Sequence, residues 1–150
     1  MSGWLSFQAD LDALLADTNA SRAQLVSAVQ PMSGADLDRA RRGGWPVRRV
    51  LEHVIQSEHL YATLVSHLRG LPIEQRDRVS CETQAVDEIL CELDSSRHAL
   101  LSALDGVDEE AFYRLGRIGH EEYSVLSVLE NAANHDREHA AQITSILAAS

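Results

Sequence analysis

Apolar residues recur at three- and four-residue spacing along most of the chain, in runs interrupted where glycine or proline stands. The first run carries Trp4, Phe7, Leu11, Leu14, Leu15, Leu25 and Val29. This spacing puts them on one face of a helix from Trp4 to about Val29, which Pro31 closes. The stretch 32–44 reads as a loop with room for one helical turn, and Pro46, after Gly43 and Gly44, is placed as a first-turn proline. A second helix runs from there to about Leu68, burying Val47, Val50, Leu51, Val54, Tyr61, Leu64, Val65 and Leu68, and Gly70 with Pro72 stops it. The third is expected to start near Ser80 as N-cap, with Thr83 following. It turns Val86, Ile89, Leu90, Leu93, Leu100, Leu101 and Leu104 inward before Gly106. A polar connection with Gly116 and Gly119 leads to the fourth, whose apolar face is Val125, Leu126, Val128, Leu129, Ile143, Ile146 and Leu147. No run alternates with period two, so no strand is predicted. Four amphipathic helices of roughly 20–25 residues make an all-α four-helix bundle the expected fold.

The length of 150 residues fits one domain, residues 1–150, with a core large enough to fold without disulfide or metal staples. A metal, if present, is therefore expected for chemistry. Thirteen basic residues against 23 acidic give a net charge of −10, a field that repels nucleic-acid backbones and anionic membrane surfaces. Every basic residue is an arginine, which closes Schiff-base and lysine general-base chemistry. Cys81 and Cys91, ten apart, fit neither a redox pair nor a zinc ribbon and read as inert thiols. The N-terminal stretch lacks a basic leader and is broken by Asp10, Asp12 and Asp17, and no segment is apolar enough to span a bilayer. A cytoplasmic protein is expected. Trp4 and Phe7, taken as exposed on the first helix, offer a seam for a homodimer.

Candidate chemistry lies in the histidines. His59, His67, His98 and His120 have no partner at ligand spacing and read as surface or satisfied residues. His135 and His139 stand at i and i+4 on the fourth helix, so both rings project from one face a turn apart, and Ala132, Ala133, Ala140 and Ala141 leave room beside them. His53, on the inward border of the second helix, is a third candidate ligand; the plain alternative is a core histidine bonded to a carbonyl. His53 lies ~10 Å from the start of its helix and His135 and His139 ~15–20 Å from the end of theirs. Antiparallel second and fourth helices bring the three closer in depth than parallel ones. An up-down-down-up order follows, with a crossover between helices two and three along residues 69–80, which extended reach ~40 Å.

Other metal classes fail on the same residues. The inverted zinc-protease pattern formally fits His135 to His139 but needs an acidic ligand downstream, and none follows. Asp136 stands where H-E-x-x-H needs Glu, and no histidine has a Glu three residues before it, as a di-iron bundle requires. Neither a serine-nucleophile elbow nor a phosphate-binding glycine loop is present.

The opening of the second helix, GGWPVRRVLEHVIQSE, and the later YSVLSVLENAANHDREHAAQI resemble the DinB-like superfamily of helical-bundle metalloproteins. The resemblance spans helices two to four and maps that family's Trp, His and H-x-x-x-H onto Trp45, His53, His135 and His139, with Gln142 matching and Pro46 replacing a Ser or Thr. It implies a divalent ion, zinc or nickel, held by three histidines with open positions for water or substrate. Family members include transferases and isomerases that use mycothiol, bacillithiol or glutathione. Three neutral imidazoles leave the ion its full charge, the catalytic pattern, suited to activating a thiol or water toward a small electrophile. The catalytic group is not assigned. Glu58 and Asp136 are candidates to orient a ligand or water, the alternative being solvated or intrahelical pairs. Arg48 and Arg49, in the cluster Arg39, Arg41, Arg42, Arg48 and Arg49, are candidates to hold a substrate carboxylate, the alternative being a solvated face. The competing functional reading is a metal- or ligand-binding bundle without turnover, in a stress-related or interaction role.

Overall fold

Four long helices form where the apolar spacing places them: α1 (Ser2–Val29), α3 (Val47–Arg69), α4 (Val86–Leu104) and α6 (Val125–Ala148). The computed structural model describes residues 2–149, with side chains from residue 6 onward. Two short helices, α2 (Gly34–Leu37) and α5 (Glu109–Tyr113), and a hairpin of β1 (Gly116–Ile118) and β2 (Glu121–Tyr123) fill the connections.

The helix ends follow their local chemistry. Pro46 has the extended backbone of an N-cap (φ −67°, ψ 156°) and offers no side-chain bond, so α3 starts on backbone geometry alone. Gly70 closes it in the left-handed region (φ 68°), and the Gly70 and Leu71 N–H groups bond the His67 and Ser66 carbonyls. Helix α6 begins with a reciprocal cap: the Ser127 N–H donates to Ser124 Oγ at 3.1 Å and the Ser124 N–H to Ser127 Oγ at 2.9 Å.

Several expectations need correction. Helix α4 starts at Val86, six residues beyond the Ser80 cap expected for it. The α3 side chains hold residues 81–84 as a turn: Glu52 Oε1 accepts the Cys81 N–H at 2.9 Å, and Arg48 donates to the Cys81 and Gln84 carbonyls. Leu101, expected inside, is 42% exposed. Finally, β1 and β2 pair antiparallel in the register Gly116 to Tyr123, Arg117 to Glu122 and Ile118 to Glu121, where no strand was predicted. Gly119, at φ 65°, supplies the positive angle that a type II′ turn needs at its first central position.

The core falls into two parts. At one end Leu25 and Val29 of α1, Val47 to Ile55 of α3, Ile89 and Leu93 of α4, and Ala140 to Ile146 of α6 pack together. At the other are Phe7, Ala62 to Leu68, Ala99 to Leu104, Phe112 and Val125 to Ala132. The first cluster is reached late along α1 and α6 and early along α3 and α4, so the two pairs run in opposite senses. Phe7 is 5% exposed and stands edge-on to Phe112 at 5.3 Å, so it is spent inside the chain and not on a homodimer seam; the Trp4 side chain lies outside the described residues.

Between the two clusters lies a layer of charge with one residue from each long helix: Arg22 (α1), Glu58 (α3), Arg97 (α4) and Asp136 (α6), all buried. Arg22 reaches Glu58 at 2.9 Å and Asp136 at 2.8 Å, and Arg97 reaches both carboxylates at 3.0 Å. Ser96 Oγ donates to Glu58 at 2.8 Å, while the remaining guanidinium N–H groups of Arg22 and Arg97 serve the Leu93 and Thr18 carbonyls. Paired and hydrogen-bonded in this way, the charges avoid the penalty of an isolated buried ion.

Candidate metal centre

One turn beyond the charged layer, the bundle brings His53 of α3 against His135 and His139 of α6. The 3.6-residue repeat points His135 and His139 the same way, and the opposed direction of α3 sets His53 opposite them. His135 Nε2 lies 3.1 Å from His53 Nε2 and 3.0 Å from His139 Nε2. One ring nitrogen from each of the three falls within 4.8 Å of the others, and all three side chains are half-buried. Among the described residues they form the only such cluster of histidine, cysteine and carboxylate groups.

The protonation of the cluster follows from its surroundings. Gln142 Oε1, 2.7 Å from His139 Nδ1, can only accept, so that nitrogen carries a proton and Nε2 is the nitrogen turned inward. Burial lowers the His53 pKa, and the neighbouring His139 adds to the effect. Burial, then His139 and His53, push His135 down to about 4. His53 and His135 are therefore neutral at pH 7, the state in which imidazole binds a metal.

Trp45 stands edge-on to His53 at 5.7 Å between ring centres, and Tyr61 edge-on to His135 at 5.9 Å. Burial and the nearby Asp136 raise the Tyr61 pKa, which keeps its hydroxyl protonated. The other candidates fall elsewhere. Glu58 and Asp136 direct their oxygens to Arg22, Arg97 and Ser96 and make no hydrogen bond to the histidines. They are neither solvated nor paired within their own helices. Arg48 is spent on Asp38 and on the Cys81 and Gln84 carbonyls, whereas Arg49 lies over the Trp45 ring at 4.5 Å. His67, His98 and His120 are exposed; His59 is half-buried with its Nδ1 unpartnered. Burial, followed by Glu52 and Glu92, pushes the Cys81 thiol up to about 12, and Cys91 is an exposed free thiol.

Sequence reading missed Arg22, Arg97 and the part of Tyr61 in the wall. A signal was present for the arginines: the apolar stripes of α1 and α4 skip from Leu15 to Leu25 and from Leu93 to Leu100, the gaps that hold them.

The DinB superfamily profile matches residues 17–143. The chain belongs to the DinB superfamily. Solved structures with the same fold include these two. One, described as TT2238, a four-helix bundle protein, is 25% identical with a TM-score of 0.70, over 89% of this chain and 98% of that one. The other, a DinB-like protein from Bacillus cereus, is 15% identical with a TM-score of 0.67, over 94% of this chain and 90% of that one. No curated protein matches.

In this DinB-superfamily chain the donor set fits a divalent ion. A single proton on His135 Nε2 cannot bridge the contacts of 3.0 and 3.1 Å at once. A cation satisfies all three nitrogens together. At the usual metal–nitrogen length of 2.0–2.1 Å, ligand nitrogens stand about 2.9 Å apart at right angles and about 3.4 Å apart in a tetrahedron, a range that contains both separations.

Proposed function

We propose that the chain is a metal-dependent enzyme of the DinB-like type, in which His53, His135 and His139 hold a zinc or nickel ion for the transfer of a low-molecular-weight thiol, or water, to a small electrophile. Mycothiol, bacillithiol and glutathione are the candidate thiols. The observation that carries this reading is the convergence of three imidazoles from two helices, a set that fills one side of an ion and leaves other positions for substrate. When bound, the ion lowers the pKa of a thiol or water at neutral pH.

The chain's own residues do the rest. His53, His135 and His139 present ring nitrogens, and Gln142 fixes the ring of His139 by accepting its Nδ1 proton. Trp45 and Tyr61 stand against two of the rings, Trp45 on His53 and Tyr61 on His135. Asp136, one residue from His135, acts through the backbone of α6: its salt bridges to Arg22 and Arg97 hold the rotation of the helix that aims both histidines.

The test is metal content by plasma mass spectrometry on protein purified without a histidine tag, for the wild type, His53→Ala and His139→Ala, followed by thiol consumption with a panel of electrophiles. About one ion per chain, lost in both variants, together with metal-dependent thiol loss, is the expected result. Bound metal with no turnover of any thiol would leave a binding bundle; a wild type that takes up neither zinc nor nickel would remove the mechanism altogether.

A further inference from the structure

A groove of about 310 Å³ opens beside the histidines, lined by Arg41, Gly44, Trp45, Gln142, Ser145 and Ile146. Its size is at the lower end of small-molecule sites. Two of its walls belong to the histidine cluster already: Gln142 bonds His139, and Trp45 abuts His53. Any molecule placed on the histidines therefore has this groove as its neighbour.

The charge of the groove is opposite to that of the molecule. None of its six residues is acidic, although the chain carries −10 overall. Most arginines here are consumed: Arg22, Arg39, Arg48, Arg76, Arg97, Arg114 and Arg137 form ion pairs, and Arg69 serves carbonyls. Of the five arginines left, Arg41, Arg42, Arg49, Arg78 and Arg117, all without an acidic partner among the described residues, two stand at this groove: Arg41 in its lining and Arg49 over Trp45. The backbone holds Arg41 in place. The Gly44 N–H bonds the Arg41 carbonyl at 2.8 Å, Gly43 takes the positive angle of 77° that this turn requires, and Ala40 bridges Pro46 at the start of α3.

We propose that this groove is a carboxylate subsite: Arg41 holds the carboxylate of the molecule whose other end lies on the histidines, and Trp45, backed by the Arg49 guanidinium, packs on the chain between them. A single guanidinium fork matches one planar, singly charged carboxylate bidentately. The inference rests on the proposed metal site, which fixes where the other end of the molecule lies, and it moves the anion contact from Arg48 and Arg49 to Arg41.

The experiment follows Trp45 fluorescence in a Trp4→Phe background, zinc-loaded and zinc-free, during titration with 3-mercaptopropionate and with 3-mercaptopropionamide. The acid is expected to bind about tenfold more tightly than the amide, the worth of one charge-assisted hydrogen-bonded pair. In Arg41→Met the two should bind alike while the amide is unchanged. No acid-dependent quenching, equal binding of acid and amide in the wild type, or a preference that survives Arg41→Met would overturn the subsite. Inorganic phosphate displacing the acid at equal concentration would overturn the carboxylate assignment. Zinc content of the loaded samples reports separately on the metal: a chain that takes up no zinc on loading yet retains the acid preference refutes the metal function and keeps the subsite.

Discussion

Gln142 decides which nitrogen of His139 faces the cluster. With its amide oxygen 2.7 Å from Nδ1, the ring is held in the tautomer that turns Nε2 inward; without it, both tautomers and a rotated ring become accessible. Gln142→Leu should therefore weaken zinc binding by about 10–100-fold, the usual effect of losing an outer hydrogen bond to a ligating histidine, with helical content unchanged. Competition against a chromophoric chelator reads this directly. The same small cluster makes a pH prediction for the metal-free chain. His135 titrates at about 4 when folded, against an ordinary value near 6.5, and His53 is lowered as well. Unfolded, both take protons as the pH drops below about 6.5; folded, they do not until lower pH, so the unfolded state binds more protons in that interval. Stability should be flat with respect to these groups above pH 6.5 and decline from there toward pH 4. The urea midpoint, followed across this window with and without His135→Gln, should show a shallower decline in the variant.

At the scale of elements, the reciprocal Ser124 and Ser127 cap sets where α6 begins, and hence the phase of His135 and His139 along it. Ser124→Ala removes the acceptor for the Ser127 N–H at a buried position and should cost about 1 kcal/mol in urea unfolding, within the range for lost N-caps. A loss of more than a few kcal/mol would show that the hydroxyl does something besides capping. The long helices could be read from sequence because each repeats its apolar residues over four turns or more, and the stop signals at Pro31 and Gly70 stand where the helices end. The hairpin could not be read by periodicity, since strands of three residues are too short to alternate visibly; its one signal was the Gly119–His120 pair, a glycine followed by any residue, which suits a II′ turn. The late start of α4 was hidden for another reason. Ser80 and Thr83 are good capping residues locally, but Arg48 and Glu52, some thirty residues earlier, satisfy the backbone of residues 81–84 from across the bundle. His135 and His139 were legible from their spacing on one helix, whereas the convergence of His53 on them needed the packing of two.

For the molecule as a whole, the charged layer is the feature that a sequence conceals best, because its members stand at 22, 58, 97 and 136 and each looks like one polar residue in an apolar stripe. Their pairing ties all four long helices at one level, directly below the histidines. Removing Arg97 leaves two buried carboxylates to share Arg22, one negative charge uncompensated, so Arg97→Met should destabilise the chain by about 3–5 kcal/mol, a large share of the stability of a domain this size. Replacing all four residues together by Met or Leu removes the desolvation cost with the pairing, and stability measured in urea should return to within a few kcal/mol of the wild type. The two variants separate holding the bundle together from holding it in register. Apolar side chains at this level pack without fixed directions, whereas the bonds of Arg22 and Arg97 to Asp136 define one rotation of α6. If that rotation aims His135 and His139 at His53, the fourfold apolar variant should fold as well as the wild type and yet bind zinc at least about tenfold more weakly, the lower bound for losing a group that orients ligands. Cobalt substitution gives an independent reading, since the visible bands report ligand geometry and not stability. An apolar layer that kept both the zinc affinity and the cobalt spectrum of the wild type would show that shape packing alone sets the register of the bundle.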